Sequence, residues 1–172
     1  MHFECLKCCD CCKNLLHNKH GWVTALSLLP EETYLFPPEH VFPQSGIGGY
    51  GSVKRIMTYQ LDLDMCPNLQ GQECVIYDKR PLTCQVYPFL LEKMQPLRLT
   101  VDEHCRWFRE EVIAMGLAKK VLTSKEGVTA PKETEACLKL FERLEEYYES
   151  RNKWRFDLGK RAWFHLRETS RE

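Results

Sequence analysis

Residues 3–15 read FECLKCCDCCKNL and place five cysteines in thirteen positions. Disulfides, a metal or cluster, and redox catalysis are the chemistries that crowd thiols in this way. Cys5, Cys8, Cys11 and Cys12 form C-x-x-C-x-x-C-C, with Cys9 as an extra thiol inside the array. Two-residue gaps let consecutive thiolates converge on one centre, as in the local part of bacterial iron–sulfur motifs, where a distant Cys-Pro completes the set. Cys66 is followed by Pro67 in this chain. The adjacent pair Cys11 and Cys12 diverges if the backbone is extended and serves two neighbouring sites, whereas a turn directs both to one.

The remaining cysteines are Cys66, Cys74, Cys84, Cys105 and Cys137. Eight candidates, Cys5, Cys8, Cys11, Cys12, Cys66, Cys74, Cys84 and Cys105, make one or two four-thiolate sites arithmetically possible. Zinc takes four thiolates in a closed tetrahedron and acts as a scaffold. Iron–sulfur clusters use the same donors and add electron transfer, or Lewis-acid chemistry at an iron lacking a cysteine ligand. The cysteine density exceeds one ordinary zinc site, which favours an iron–sulfur cluster such as [4Fe–4S], with zinc as the alternative. Cys74 also suits a core thiol, since ECVIY is an apolar, strand-like run. Cys137 shares a helical stripe with Leu140, Phe141 and Leu144, which points to core packing. Cys9 is a nonligand or a substitute ligand.

These blocks resemble the YkgJ-type cysteine-cluster family, named for its C-x-x-C-x-x-C-C signature and described as zinc- or iron-chelating. The likeness runs through FECLKCCDCC at 3–12, CPNLQGQECVIYDKRPLTCQVYPF at 66–89 and DEHCRWF at 102–108. On that resemblance Cys5, Cys8, Cys11 and Cys12 match the N-terminal signature. Cys66, Cys74 and Cys84 match the three cysteines around I-Y-x-x-R-P-x-x-C, and Cys105 completes the set. Cys9 stands where family members often carry glycine or another small residue, and Gln85 where arginine is common. The resemblance implies metal or cluster binding. One related group includes flagellin lysine methylases, an activity that does not thereby pass to this chain.

A chain of 172 residues supports one ordinary core, so a single domain over 1–172 is expected, with a family-like core over about 1–110 and a helical extension over 111–172. Apolar residues at 44% and charged residues at 28% describe a globular chain. The formal net charge of zero provides no general attraction to nucleic acid or anionic membrane. No apolar run is long enough to cross a bilayer and no apolar signal core precedes Cys5, so a cytoplasmic protein without membrane attachment is expected. In a reducing compartment, ten cysteines fit metal ligation better than structural disulfides.

The elements that position these thiols read as α+β: a small mixed or antiparallel sheet organising a multicysteine core, packed by C-terminal helices. GWVTALSL at 21–28 suits a short strand or buried turn, and LPEET begins a short helix. Residues 36–52, with three prolines and four glycines, read as a loop without the endings of a nucleotide-binding loop. Met57, Tyr59, Leu61, Leu63 and Met65 alternate with polar residues as a half-buried strand that delivers Cys66 at its end. The run before Tyr77 delivers Cys74, and Leu97, Leu99 and Val101 lead toward Cys105. Pro81 restrains the chain before Cys84. Arg80 can bond a carboxylate or a carbonyl, or moderate nearby thiolate charge.

Residues 102–122 read as a helix with Trp107, Phe108, Val112, Met115 and Leu122 on its apolar surface, and a second helix runs from Pro131 to about Ser150. The last 22 residues hold seven Lys or Arg against three Asp or Glu, with Trp154, Phe156, Trp163 and Phe164. They either close the core as a short amphipathic helix or grip nucleic acid or a protein partner. No H-E-x-x-H segment or joined nucleophile and base appears, so an enzyme is left open. Three functions follow: a metal or cluster protein in electron transfer or cluster handling, a zinc-stabilised interaction module, or a metal-dependent enzyme with His104, Arg80 or Asp10 in its cavity.

Overall fold

The structure is a computed structural model that describes residues 3–19, 21–92, 98–102, 104–112 and 131–166. Its elements are β1 (His17–Lys19), β2 (Trp22–Thr24), β3 (Ser27–Leu28), β4 (Val41–Gly48), β5 (Val53–Leu61), β6 (Leu69–Gln70), β7 (Glu73–Cys74), α1 (Leu82–Val86), β8 (Phe89–Glu92), β9 (Arg98–Val101), α2 (Pro131–Glu149), β10 (Lys153–Asp157) and β11 (Ala162–Leu166). The fold is α+β, as expected, and its strand pairs are antiparallel. The chain divides into two compact units, one of Met1–Lys13 with Asn68–Glu142, the other of Asn14–Pro67 with Arg143–Glu172.

The second unit holds a five-stranded sheet in the order β11-β10-β4-β5-β3. β5 alternates, yet its polar side chains occupy some of the deepest positions, with Thr58 3% and Gln60 0% exposed. Gln60 Oε1 accepts from the Ala25 amide at 3.2 Å, and its Nε2 donates to the Pro43 and Phe156 carbonyls at 2.7 and 3.1 Å. Ser27, Gln44, Ser45 and Thr58 bond one another beside it. A polar interior is stable when its groups are satisfied in this way.

Three expectations are corrected in this unit. Residues 41–48 are strand β4 rather than loop, irregular in register at Pro43/Ser45, Ser45/Gly46 and Ile47/Gly48. Such irregularities accommodate proline in a ladder. The glycines answer to close backbone approach: a Cβ at Gly46 would lie 2.9 Å from the Arg55 carbonyl, and one at Gly48 2.1 Å from that of Ser52. Second, β5 stops at Leu61, so Cys66 lies beyond a bend in which the Leu63 amide bonds the Leu61 carbonyl at 2.9 Å. Third, the basic-aromatic segment closes the core as the hairpin β10–β11 rather than a helix. Trp154 and Phe156 stand two apart and are both buried, the period of a strand. The segment 111–172 is therefore not wholly helical.

The first unit carries Cys74, Cys84 and Cys105, so the large sheet does not position them as expected; the small pairs β6–β7 and β8–β9 and helix α1 stand near them in sequence. ECVIY is strand only at Glu73–Cys74. The core of this unit gathers Phe3, Val86, Phe89, Cys105, Trp107, Phe108, Ala136 and Cys137. Phe3 meets Phe89 and Trp107 edge-on at 5.0 and 4.8 Å, which roots the cysteine array in apolar contacts. After Cys105 the chain turns helical and runs as a π-helix over Phe108–Val112. Leu97, Met115 and Leu122 lie outside the described residues. Helix α2 spans 131–149, as the stripe through Cys137 predicts.

Candidate metal centre

The N-terminal array is folded rather than extended. Lys7, Cys9 and Asn14 adopt φ of 49°, 57° and 55°, and Asp10–Cys12 forms a 3-10 turn closed by the Cys12 amide on the Cys9 carbonyl at 3.0 Å. Cys11 and Cys12 therefore leave a turn, not a strand. A left-handed backbone costs a residue with a Cβ about 1–2 kcal/mol, which gives a physical reason for glycine at the Cys9 position. Cys9 itself is 7% exposed, and its thiol donates to the Gln72 carbonyl at 3.3 Å. That bond ties the array to the segment before Cys74.

A second tie converges here. Asp10 accepts from Arg106 Nε and Nη2 at 3.1 and 3.0 Å, with Arg109 Nη2 at 3.7 Å, which fixes the array to the turn holding Cys105. Arg80 Nε donates to the Tyr77 carbonyl at 2.8 Å while its guanidinium lies 3.7 Å from the Tyr77 ring centre. Gln85 Nε2 donates to the Arg80 carbonyl at 2.6 Å, a local contact made by the glutamine that stands where arginine is common in the family. Pro81, fully buried, precedes α1 and restrains the chain before Cys84. Backbone amides of Phe108 and Trp107 bond the Cys105 sulfur.

The sulfurs also act on one another. The Cys11 thiol is lowered to about 7, chiefly by a hydrogen bond with Cys12 and further by the Arg80 cation, against the opposing effect of burial. Burial pushes the Cys9 thiol up, and the charges of Cys11 and Cys74 add to it. Burial likewise raises Cys105, opposed by its two amide bonds and reinforced by Cys8 and Cys5. Tyr87 is raised by burial first, then by Asp102, Cys105, Cys11 and Cys8.

Cys5, Cys8, Cys9, Cys11, Cys12, Cys74 and Cys105 are thus electrostatic neighbours. Cys84 is half-buried on α1, and Cys66, 8% exposed, belongs to the other unit. Cys137 is 2% exposed and raised to about 11 by burial, with Glu133 adding, as a core thiol should be. His104 is exposed to solvent, with its Nδ1 2.8 Å from Asp102 Oδ1. None of the ten cysteines forms a disulfide.

The expected multicysteine core is not a converged site: among the described residues no three His, Cys, Asp or Glu side chains form a metal-binding group. The sulfurs take local partners instead, Cys9 on Gln72, Cys11 on Cys12 and Cys105 on backbone amides. The donor set nonetheless fits a thiophilic metal, since it is all sulfur, carries a thiol that ionises near neutrality and offers amide donors to stabilise thiolate charge. Among the described residues no helix is long and apolar enough to cross a membrane.

Tyr77, Gln72, Arg106 and the amides after Cys105 escape a reading based on cysteine spacing. Tyr77 sits in the I-Y-x-x-R-P segment and Arg106 adjoins Cys105, but neither type signals a role until the fold supplies a partner. No curated protein and no solved structure matches the chain. The family profile described as "CxxCxxCC: Putative zinc- or iron-chelating domain" matches residues 4–111, which span the array, both ties and Cys105. With more than half its length under that profile, the chain belongs to the CxxCxxCC family.

Proposed function

We propose that this protein binds a thiolate-ligated metal, with an iron–sulfur cluster favoured over zinc, and serves in electron transfer or cluster handling. The observation that carries this reading is that thiols from separate parts of the chain influence one another, Cys9 with Cys74 and Cys105 with Cys5 and Cys8. Cys5, Cys8, Cys11, Cys12, Cys74, Cys84 and Cys105 are the proposed ligands in the first unit. Cys66 is a candidate on the sequence pattern alone. A bound cluster would supply a one-electron couple.

The chain's own residues prepare for such a group. Arg80 and the Cys12 hydrogen bond favour the ionised form of Cys11, the form that ligates metal. The Phe108 and Trp107 amides do the same for Cys105. Asp10 with Arg106 and Cys9 with Gln72 hold the array against the other thiol-bearing segments. Closing these sulfurs around a metal makes binding energy part of local folding energy.

Anaerobic purification followed by metal analysis, acid-labile sulfide and visible absorbance tests the proposal. Iron with near-stoichiometric sulfide and a charge-transfer band is the expected result. Zinc without sulfide would move the function to a structural or interaction role, and absence of both metals would sink the reading.

A further inference from the structure

Tyr77 stands at the junction of the two cysteine blocks without being a ligand type that the family pattern requires. Burial first, and then the neighbouring Cys5 thiol, push its hydroxyl above the ordinary phenol value. The Arg80 guanidinium covers its ring at 3.7 Å, and Lys7 Nζ lies 5.0 Å from the same ring centre. Lys7 comes from the array, two residues after Cys5, and has a left-handed backbone that sets it apart from a regular strand or helix. Arg80 comes from the second block and is anchored a second time by its bond to the Tyr77 carbonyl at 2.8 Å. One side chain therefore has an array thiol beside its hydroxyl and holds a cation from each block at its ring.

We infer that Tyr77 is a positioning residue of the thiol centre, its hydroxyl fixing the Cys5 sulfur as hydrogen-bond acceptor and its ring holding Arg80 beside Cys11. The inference rests on the proposed thiolate function and adds a part to it. Thiolate donors around a divalent ion leave excess negative charge, and hydrogen bonds or nearby cations offset that excess and orient the sulfur. Tyr77 supplies the hydrogen bond directly and places the cation through stacking, where the planar guanidinium lies better than an ammonium would. A bland alternative is that Tyr77 merely fills space at the start of the 3-10 turn Tyr77–Lys79, in which case its hydroxyl would be dispensable.

Cobalt(II) titrated into the reduced, anaerobic 172-residue chain provides the test, read as the thiolate-to-cobalt charge-transfer band and as affinity against a competing chelator. Tyr77→Phe, which keeps the ring, is expected to bind the same equivalents with a shifted band and an affinity about 10- to 100-fold weaker. In a Cys5→Ser background the same change should have no further effect. Arg80→Lys, which keeps the charge but loses the planar stack, should shift the band as well. A parental band and affinity in both Tyr77→Phe and Arg80→Lys would overturn the inference, as would an equal loss in the Cys5→Ser background. A parent chain with no thiolate-to-cobalt band would overturn this inference alone, since the proposed function stands or falls on the iron, zinc and sulfide analysis.

Discussion

Two cysteines of similar intrinsic acidity meet opposite environments. The Cys12 hydrogen bond and the Arg80 cation bring the Cys11 thiol down to about 7 against the effect of burial, whereas burial alone dominates at Cys137 and raises it to about 11. Thiolate is the nucleophile, so in metal-free protein Cys11 alkylation should climb as pH rises through about 7 and then level off, while Cys137 stays protected until unfolding. Mass-mapped iodoacetamide labelling between pH 6 and 9 checks both. Replacing Arg80 by Gln removes a cation that favours the Cys11 thiolate, and labelling at pH 7 should slow by roughly threefold or more. An unchanged rate would mean that the Cys12 hydrogen bond alone sets the acidity. At Cys9, the left-handed backbone and the bond to Gln72 assign a structural task to the extra thiol.

The elements that matter most are held by close backbone approach and buried polar bonds. Gly48→Ala would drive a Cβ to 2.1 Å from the Ser52 carbonyl, while Gly49→Ala meets nothing within 4 Å. The first should cost about 3 kcal/mol and the second little, compared by urea denaturation. Gln60→Leu would strand the Ala25 amide and leave the Pro43 and Phe156 carbonyls without the Gln60 donor, at a cost of about 3 kcal/mol. An equally stable Gln60→Leu protein would show that the inner polar network is not what holds β5 in register.

At the scale of the whole molecule, the candidate ligands divide unevenly, with Cys66 in one unit and the remaining seven in the other. Metal at a hundredfold excess over its dissociation constant should stabilise the protein by about 2.7 kcal/mol, reversed by chelator. Hydrogen exchange should slow at residues 5–12 and 74–86 and around Cys105, with little change in β4 and β5. Protection confined to the large sheet would contradict the placement of the centre in the first unit.

Spacing is covalent and local, so the order C-x-x-C-x-x-C-C, the sulfur chemistry it favours and the stripe that buries Cys137 could be read from the chain directly. The α+β class and helix α2 followed from periodicity for the same reason. Burial and partnership come from residues distant along the chain, and those only the tertiary structure decided. It made a strand of the glycine- and proline-rich segment because β5 runs close beside it, and a hairpin of the basic-aromatic tail because β4 offered an edge. It also turned Asp10, Gln72, Tyr77 and Arg106 into the frame of the thiols. No local pattern reports which hydrogen bond a side chain will find once the chain has folded.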